Sequence, residues 1–417
     1  MGGHHKPTIT VTDDESIRIS PAWQSLRVLG LFGGAGLLIV AWLIGKFSDS
    51  SSYFYFSYLT SFVYFLSISL GALFFVPIHH LTRAGWSVVV RRICELITQN
   101  LIPMAALFLI ILLPVVFGSH SLFEWNNPEL WNKDSSHYDQ LIAHKSPYLN
   151  PTFFAIRAII YFSAWICIAR YFFLNSLAQD SNGDKQITLK MQKWSSLAVV
   201  TFALTVTFAS FDWLMSLDPH WFSTIFGVYF FAGCALSFFA FLTLTVFLLQ
   251  QSGKLEGIIT KEHYHDLGKY TFGFTLFWAY IAFSQFLLIW YANIPEETGW
   301  YLRRQENGWA YVAIALIFGH FFIPFFGVMS RHIRRNKYAL VCWALLILVM
   351  HYVDLYYVVM PQVAHGTAAP SFGLIDVCCI VGIGGVYISF LIWFATDKPL
   401  VPLKDPRLQE SLALQNH

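Results

Sequence analysis

Ten runs of about 20 mostly apolar residues dominate this sequence, and each is long enough to cross the hydrocarbon core of a bilayer as a helix. Of the 417 residues, 56% are hydrophobic and only 12% are charged, which excludes an ordinary soluble domain. Segment 105–117 is apolar on every face, which favours helices over the alternating strands of an outer-membrane barrel. The sequence therefore predicts an all-α integral membrane bundle. Its spans are expected at 26–47, 55–78, 95–118, 151–176, 193–216, 221–250, 270–293, 308–330, 337–360 and 371–395.

The distribution of Lys and Arg predicts the orientation. If the N-terminus is cytoplasmic, most of the 26 Lys and Arg residues, Lys6 among them, fall on the cytoplasmic side, as the positive-inside rule requires. The even number of spans then places the C-terminus in the cytoplasm as well. The polar first 21 residues show no signal-peptide pattern, so the first span is expected to act as a signal anchor.

An aspartate deep in an apolar run is followed seven residues later by a proline at two places, Asp212 with Pro219 and Asp354 with Pro361. This repetition suggests a duplicated four-helix unit, with a site at the repeat interface. Chance similarity of two apolar segments remains the alternative. The predicted division is a tail at 1–25, a flanking helix at 26–54, four-helix bundles at 55–216 and 217–360, a flanking helix at 361–395 and a tail at 396–417.

Ionisable side chains inside the spans are the candidate functional residues, because a charge at the centre of the bilayer is costly unless it pairs or serves a function. The predicted outer halves contain Arg157, Asp212, His351, Asp354 and Asp376. His351 and Asp354 share one helix face and form a pair that can exchange protons near neutral pH. A structural ion pair or hydrogen bond between helices is the alternative.

Further polar residues are predicted in the inner halves and near the middle of the membrane. His79, His80, Glu95 and Gln99 belong to the inner half of the predicted path, and His320 and Gln285 to its middle. Together the three groups predict a proton path across the bilayer, although unrelated helix contacts would give the same set.

No residue is identified as catalytic, and no metal site is predicted. A bis-histidine haem is disfavoured because His79, His320 and His351 are expected at different depths. The six cysteines form no Cys-x-x-Cys pair and are interpreted as buried apolar residues. The net charge of +2 gives no indication of nucleic-acid binding. The aromatic loop at 119–150, with Trp125 and Trp131, is predicted to point outward at a partner or lipid headgroups, an interfacial anchor being the alternative.

Two segments carry a resemblance to a known family. They are 79–92, HHLTRAGWSVVVRR, and 210–221, SFDWLMSLDPHW. They resemble the ActF-type membrane subunits of bacterial alternative complex III, a quinol:cytochrome c oxidoreductase, and these subunits are related to the NrfD and PsrC membrane anchors. The resemblance extends over all ten spans and implies two four-helix bundles with added helices in a bacterial cytoplasmic membrane.

The resemblance also implies partners and a role. The partners are a homologous ActC-type membrane subunit, an iron–sulfur protein, multihaem and monohaem c-type cytochromes, other small membrane subunits and lipids. Haem and iron–sulfur clusters are expected in these partners only, and quinone or quinol is the expected small molecule, with the better-supported quinol site in the ActC-type subunit. The expected role is proton conduction coupled to quinol oxidation, or an additional quinone contact, without a redox centre of the chain's own.

Two other classes remain open at this stage. A secondary transporter would also combine an internal repeat with polar groups near the midplane, but it should show helices broken at matching depths. A purely structural anchor of a redox complex would use the same Asp, His and Arg residues only to hold helices together. The sequence alone does not establish an enzyme.

Overall fold

The computed structural model describes residues 11–12, 14–48, 51–366 and 369–416, which are 78% helical with no β-strand among them. By length and composition, ten helical segments of this part of the chain are able to cross a membrane. The predicted all-α, ten-span architecture is thus confirmed. Residues 1–10 of the predicted N-terminal tail, which include Lys6, lie outside the described residues.

Sixteen α-helices follow one another along the described chain. They are α1 Trp23–Phe47, α2 Ser51–Leu81, α3 Val88–Gln99, α4 Leu101–Val116, α5 Gln140–Lys145, α6 Pro151–Asn182, α7 Lys185–Trp213, α8 Phe226–Gln251, α9 Lys261–Ala292, α10 Pro295–Arg303, α11 Trp309–Leu316, α12 Ile323–Met329, α13 Arg331–Arg335, α14 Lys337–Val359, α15 Leu374–Ala395 and α16 Leu408–Leu412. The third span combines α3 with α4, and the eighth combines α11 with α12.

Several helices begin earlier than their apolar runs, because their first turns are polar. The spans predicted to start at 193 and 270 begin at Lys185 and Lys261. Each start is capped by a side chain: Asp184 accepts from the backbone N–H of Gln186, and Thr260 accepts from that of Glu262. Such caps satisfy backbone donors that have no partner within the helix.

The centre of the bundle is formed by α2 and α8. In α2, 94% of the most apolar window is buried inside the protein, and in α8 the share is 78%. The two helices approach closely at Gly71, where an added Cβ would lie 2.3 Å from the carbonyl oxygen of Cys234. Helices α7, α3 and α15 pack around α2, while α9 and α14 pack against α8.

The first span packs mainly against the last. Only 22% of the apolar window of α1 is buried, and its main contact is with α15. Small residues allow this contact, because an added Cβ at Gly34 would lie 2.5 Å from the carbonyl oxygen of Gly382. Most of the α1 surface is therefore available to lipid or to another subunit.

Two spans depart from regular α-helical geometry, and a proline follows each irregularity. The third span is interrupted at Asn100, between α3 and α4, just before Pro103. The eighth span contains a π-helical segment at Ile317–Phe322, which is followed by Pro324. Proline has no N–H to donate to the carbonyl four residues earlier, so both interruptions have a local cause.

The predicted outward-pointing loop folds back onto the bundle. Trp125 is fully buried, and its indole N–H donates to Ser216 Oγ at 3.3 Å. The rings of Phe123 and Trp125 lie 5.3 and 5.5 Å from that of Phe154. Trp125 is therefore not available to a partner or to headgroups, because it completes the packing above α6, and an outward contact of the rest of the loop stays a prediction.

The described chain ends lie at the same end of the bundle, which we call the tail end. The backbone N–H of Leu400 donates to Ile17 O at 2.7 Å, and that of Leu255 donates to Ser16 O at 2.9 Å. The opposite end, called the loop end, carries the connections at 117–150, 214–225, 293–308, 360–366 and 369–373. This arrangement agrees with an even number of crossings.

Candidate functional site

The predicted path residues fall into separate groups, which differ in whether a carboxylate meets a cation. The first group contains Asp212, near the end of α7, and Arg157 in α6. Two guanidinium nitrogens of Arg157 donate to the two oxygens of Asp212, at 2.7 and 2.9 Å. Tyr161 donates a further hydrogen bond to Asp212 at 2.7 Å, and the guanidinium stacks on the Tyr148 ring at 3.9 Å. Asp212 is thus held in a saturated, buried ion pair.

Asp376 stabilises the beginning of α15. Its Oδ2 accepts from the backbone N–H of Gly373 at 2.8 Å and from the hydroxyl of Tyr53 at 2.6 Å. A carboxylate at this position satisfies a free helix N–H and interacts favourably with the helix dipole. The contacts of Asp376 are therefore those of a helix cap that ties α15 to the start of α2.

Asp354 differs from Asp212 because it is buried without a cation, and from Asp376 because it caps no helix. It lies on α14 and is 2% exposed. Its oxygens accept hydrogen bonds from the hydroxyl of Tyr229 on α8 and from the indole N–H of Trp278 on α9, the latter at 3.0 Å. No Lys or Arg of the described chain forms an ion pair with it. Three helices thus meet at a carboxyl group whose partners are neutral.

Two histidines lie beside this carboxyl group. His320, in the π-helical segment, stacks on Trp278 with 4.1 Å between ring centroids. Its own ring lies 6.3 Å from that of His351 on α14. His351 Nε2 is hydrogen-bonded to Ser67 Oγ at 2.8 Å, whereas His351 Nδ1 and both nitrogens of His320 have no partner among the described residues. We call Asp354, His320, His351, Tyr229 and Trp278 the central cluster.

A cavity of about 10 Å³ adjoins the central cluster and is lined by His351, Asp354 and Tyr229. This volume is close to the lower limit for a single water molecule. The neighbouring helix leaves little further space, since an added Cβ at Gly233 would lie 2.9 Å from His351 Cε1. The central cluster therefore has room for a proton carrier of the size of water, and not for a quinone ring.

The predicted inner residues are divided between two surroundings. Glu95 forms an ion pair with Arg92 at 3.0 Å, and Arg92 also pairs with Asp180 at 2.7 Å. The Gln99 amide donates to Ala169 O and accepts from Arg170, which links α3 to α6. These contacts connect α3 to α6 at the tail end, as expected of a structural network.

His79 and His80 contact different helices. The His79 ring packs near Trp86 and Tyr270, at 5.5 and 5.8 Å, and its Nδ1 is hydrogen-bonded to Phe75 O. The His80 ring stacks on Phe172 of α6 at 5.3 Å. Consecutive residues of a helix point about 100° apart, so the two imidazoles cannot both face one path. Their Nε2 atoms are buried without a partner in the described chain.

Gln285 contacts segments of the loop end. Its side chain is hydrogen-bonded to Ser223 at 3.0 Å and to the Tyr301 hydroxyl at 3.1 Å, and both partners belong to loop-end segments. Its place in the middle of the path stays a prediction, and these contacts tie it to the loop-end connections. His320 lies near the middle of its span.

The loop end contains a second polar site, a cavity of about 980 Å³ lined in part by His120, Glu124, Asp218 and Arg303. Arg303 forms an ion pair with Asp218, which also accepts a hydrogen bond from Gln362 at 3.4 Å. The cavity is polar and open, in contrast to the central cluster. Its size and its charged lining suit contact with polar groups of another molecule.

Next to this cavity, His220 Nε2 lies 2.7 Å from Asp139 Oδ2. Burial alone would raise the pKa of Asp139. Hydrogen bonds from the backbone N–H groups of Ile142 and Leu141, and from His220, outweigh burial and hold the pKa below its ordinary value of 3.8. Asp139 thus remains ionised at neutral pH and caps α5.

Sequence reasoning missed the residues that complete these groups. Tyr229 and Trp278 could not be recognised as site residues from the sequence, because aromatic residues make up 18% of the chain and most of them serve only in packing. Arg92 counted only as one of the cytoplasmic basic residues, although it is fully buried. The close spacing of Arg91, Arg92 and Glu95 was a usable signal for a buried ion pair at one helix face.

Fold and composition together define a multi-pass helical membrane protein with a buried polar centre. No protein-family model matches the chain, and no curated protein is significantly similar to it in sequence.

Proposed function

We propose that this chain is a membrane subunit of a respiratory quinol:cytochrome c oxidoreductase of the alternative complex III type and that it conducts protons. Both termini would face the bacterial cytoplasm, which places the loop end on the outer side. The proposal is supported by the two sequence segments quoted above and by the ten-helix bundle. The succession of two sets of four spans between α1 and α15 agrees with a duplicated unit.

The observation that carries the proposal is the burial of Asp354, without a cation, among neutral side chains of other helices and beside a water-sized cavity that it shares with His351. An isolated ionised carboxylate is strongly disfavoured in an apolar interior, whereas its protonated form is tolerated. Such a group takes up and releases a proton when its surroundings change. His351 lines the adjoining cavity together with Asp354, and the His320 ring lies 6.3 Å from that of His351, so a water molecule in the cavity would carry the proton from Asp354 to His351.

The proposed route therefore runs through the central cluster and not through Asp212. Arg157 holds both oxygens of Asp212, so protonation of this carboxyl would leave the guanidinium buried and unpaired. Asp376 and the Arg92–Glu95 pair are likewise assigned to stabilising helix contacts. Ser67 and Ser237, whose hydroxyl oxygens lie 3.4 Å apart beyond His351, extend the route towards α2 and α8.

The small volume of the central cluster supports quinol oxidation in the partner membrane subunit. The oxidation releases two electrons and two protons, and the electrons would pass to the iron–sulfur protein and then to the c-type cytochromes. The polar cavity at the loop end and its surroundings would face these outer partners. This chain would contribute proton movement coupled to that electron transfer.

The first experiment is extraction in a mild detergent followed by a native gel that is stained for haem. The proposal expects co-migration with c-type cytochromes and an iron–sulfur protein, and quinol:cytochrome c activity in the band. A lone band without haem would contradict it. In the assembled complex, each electron taken from quinol leaves one proton to be conducted away, so Asp354→Asn should slow quinol oxidation and the coupled proton release together, at least several-fold, while haem content is retained. Unchanged proton release would remove the central cluster from the route.

A secondary transporter is the second candidate, because two spans are interrupted. The break at Asn100 and the π-helical segment at Ile317–Phe322 free backbone groups inside the bundle, as broken helices do in transporters. The two breaks, however, occur in the third and the eighth spans, which are not corresponding members of two four-span units. The third candidate function is that of a purely structural anchor. In that case Asp354→Asn would alter assembly without altering the turnover of assembled complexes.

A further inference from the structure

A cavity of about 770 Å³ lies on the side of the bundle between α2, α8 and α9, and none of the residues of the central cluster lines it. Its wall is formed by Phe74, Phe231, Phe274 and Phe277, and it is closed at the tail end by Leu414 and Asn416. We infer that this cavity binds one phospholipid with a zwitterionic, ammonium-containing headgroup, and we call it the lateral cavity. The inference does not depend on the proposed respiratory function.

The lateral cavity has a polarity gradient along α9. Asp266 and Lys269 lie at the tail end, Tyr270 follows, and Phe274 and Phe277 lie deepest. The distance from residue 266 to residue 277 is about 17 Å at 1.5 Å per residue. This length is about half of the roughly 30 Å hydrocarbon thickness, so the cavity extends through one leaflet. An acyl chain with its headgroup at the tail end has these dimensions.

The polar mouth favours a headgroup that carries one negative and one positive charge. Lys269 Nζ lies 2.7 Å from Asp266 Oδ1 and 2.9 Å from Asn416 Oδ1, and its side chain is 47% exposed. A lipid phosphate can accept from the ammonium of Lys269, while a lipid ammonium donates to Asp266. A quinone carbonyl can also accept from Lys269, but a quinone has no cation for Asp266.

Aromatic residues mark the boundary between the polar mouth and the apolar wall. The Trp86 and Tyr270 rings are stacked at 5.6 Å, and both line the lateral cavity. Trp and Tyr are enriched at the level of the headgroups because their rings are apolar and their edges are polar. Their position here agrees with a headgroup at the mouth and acyl chains along the phenylalanines.

Gly273 provides the test, because it lies in the wall and has no side chain. An added Cβ there meets no atom within 4 Å, so a larger residue would extend into the cavity without displacing the protein. Gly33 on α1 is a matched control, since an added Cβ there also meets no atom within 4 Å and it lies outside the lateral cavity. Both are exposed glycines within membrane-spanning helices.

The experiment reconstitutes the full chain in nanodiscs with equal amounts of phosphatidylethanolamine and phosphatidylglycerol. Native mass spectrometry and lipid extraction after mild delipidation then count the retained lipids. We expect about one phosphatidylethanolamine per chain in the unchanged protein and in Gly33→Leu, and at least a five-fold loss in Gly273→Leu. Asp266→Asn, which leaves the cavity open, should abolish the preference for phosphatidylethanolamine over phosphatidylglycerol.

Each other outcome overturns the inference. These outcomes are no retained lipid in the unchanged protein, equal retention in Gly273→Leu, an unchanged preference in Asp266→Asn, and a co-purified quinone in place of the phospholipid. Loss of lipid from Gly33→Leu to the same extent would also overturn it, because the loss would then follow from any added bulk. Failure of the respiratory proposal would leave all of these expected results unchanged.

Discussion

The imidazole of His320 lies flat against the indole of Trp278, with 4.1 Å between the ring centroids. The N–H of the same indole donates to Asp354 at 3.0 Å. Trp278 therefore fixes the position of a histidine and of a carboxyl group at once. Because it joins α9 to the π-helical segment and to α14, the geometry of the central cluster depends on the packing of three spans.

The two aspartates of the Asp–Pro repetition should respond differently to loss of charge. Asp212→Asn leaves Arg157 buried with only part of its hydrogen bonding, so it should destabilise the protein by about 3–5 kcal/mol. Asp354→Asn removes no ion pair and should change stability by about 1 kcal/mol or less. Thermal unfolding in a fixed detergent measures both. Equal losses would contradict the distinction between a structural pair and an isolated acid.

Replacing both Arg157 and Asp212 should restore much of the stability that is lost when Asp212 alone is replaced. Replacing both members of the pair, as in Arg157→Met with Asp212→Leu, removes the unpaired charge that Asp212→Leu alone leaves in the interior. Buried ion pairs exchanged for apolar residues of similar volume are often neutral or better. The double variant should therefore unfold at a higher temperature than Asp212→Leu. A double variant that is less stable than either single variant would show that the pair itself is required.

The contact between α2 and α8 should not tolerate a side chain at Gly71. An added methyl group would lie 2.3 Å from Cys234 O and 2.4 Å from the Cβ of Phe238, so the two central helices must separate. Overpacking of this kind typically costs about 1–3 kcal/mol. Gly71→Ala should lower the unfolding temperature, whereas Gly36→Ala on α1, with no atom within 4 Å of the added Cβ, should not. Equal unfolding temperatures of the two variants would contradict the close approach.

Acid should loosen the loop end before it affects the buried spans. The folded state holds the pKa of Asp139 below 3.8, since hydrogen bonds to its carboxylate offset burial. A carboxylate with a lowered folded pKa contributes stability above its unfolded pKa, and this contribution is lost as the pH falls through the folded value. Amide hydrogen exchange in α5 should therefore accelerate as the pH drops below about 4, beyond the intrinsic pH dependence. In Asp139→Ala, which removes the oxygen that accepts from Leu141 and Ile142, the exchange should already be fast at neutral pH, and slow exchange in that variant would exclude the cap.

The spans could be predicted from the sequence, but the partners of the polar residues could not. All ten apolar runs correspond to helices, because hydrocarbon thickness sets a length that is readable residue by residue. The partners of Gln285 and the burial of Trp125 could not be predicted. Gln285 contacts two loop-end segments that are distant in sequence, and Trp125 is buried because its loop folds back onto α6.

The sequence by itself determined a ten-span helical membrane protein with several ionisable side chains inside its spans, since apolar length and residue type are local properties. The tertiary structure alone decided which of those side chains is paired. Asp212 meets Arg157, 55 residues away, and Asp354 meets Tyr229, 125 residues away. Such contacts depend on how whole helices pack. One aspartate therefore became half of an ion pair and the other an acid among neutral partners, although both lie seven residues before a proline.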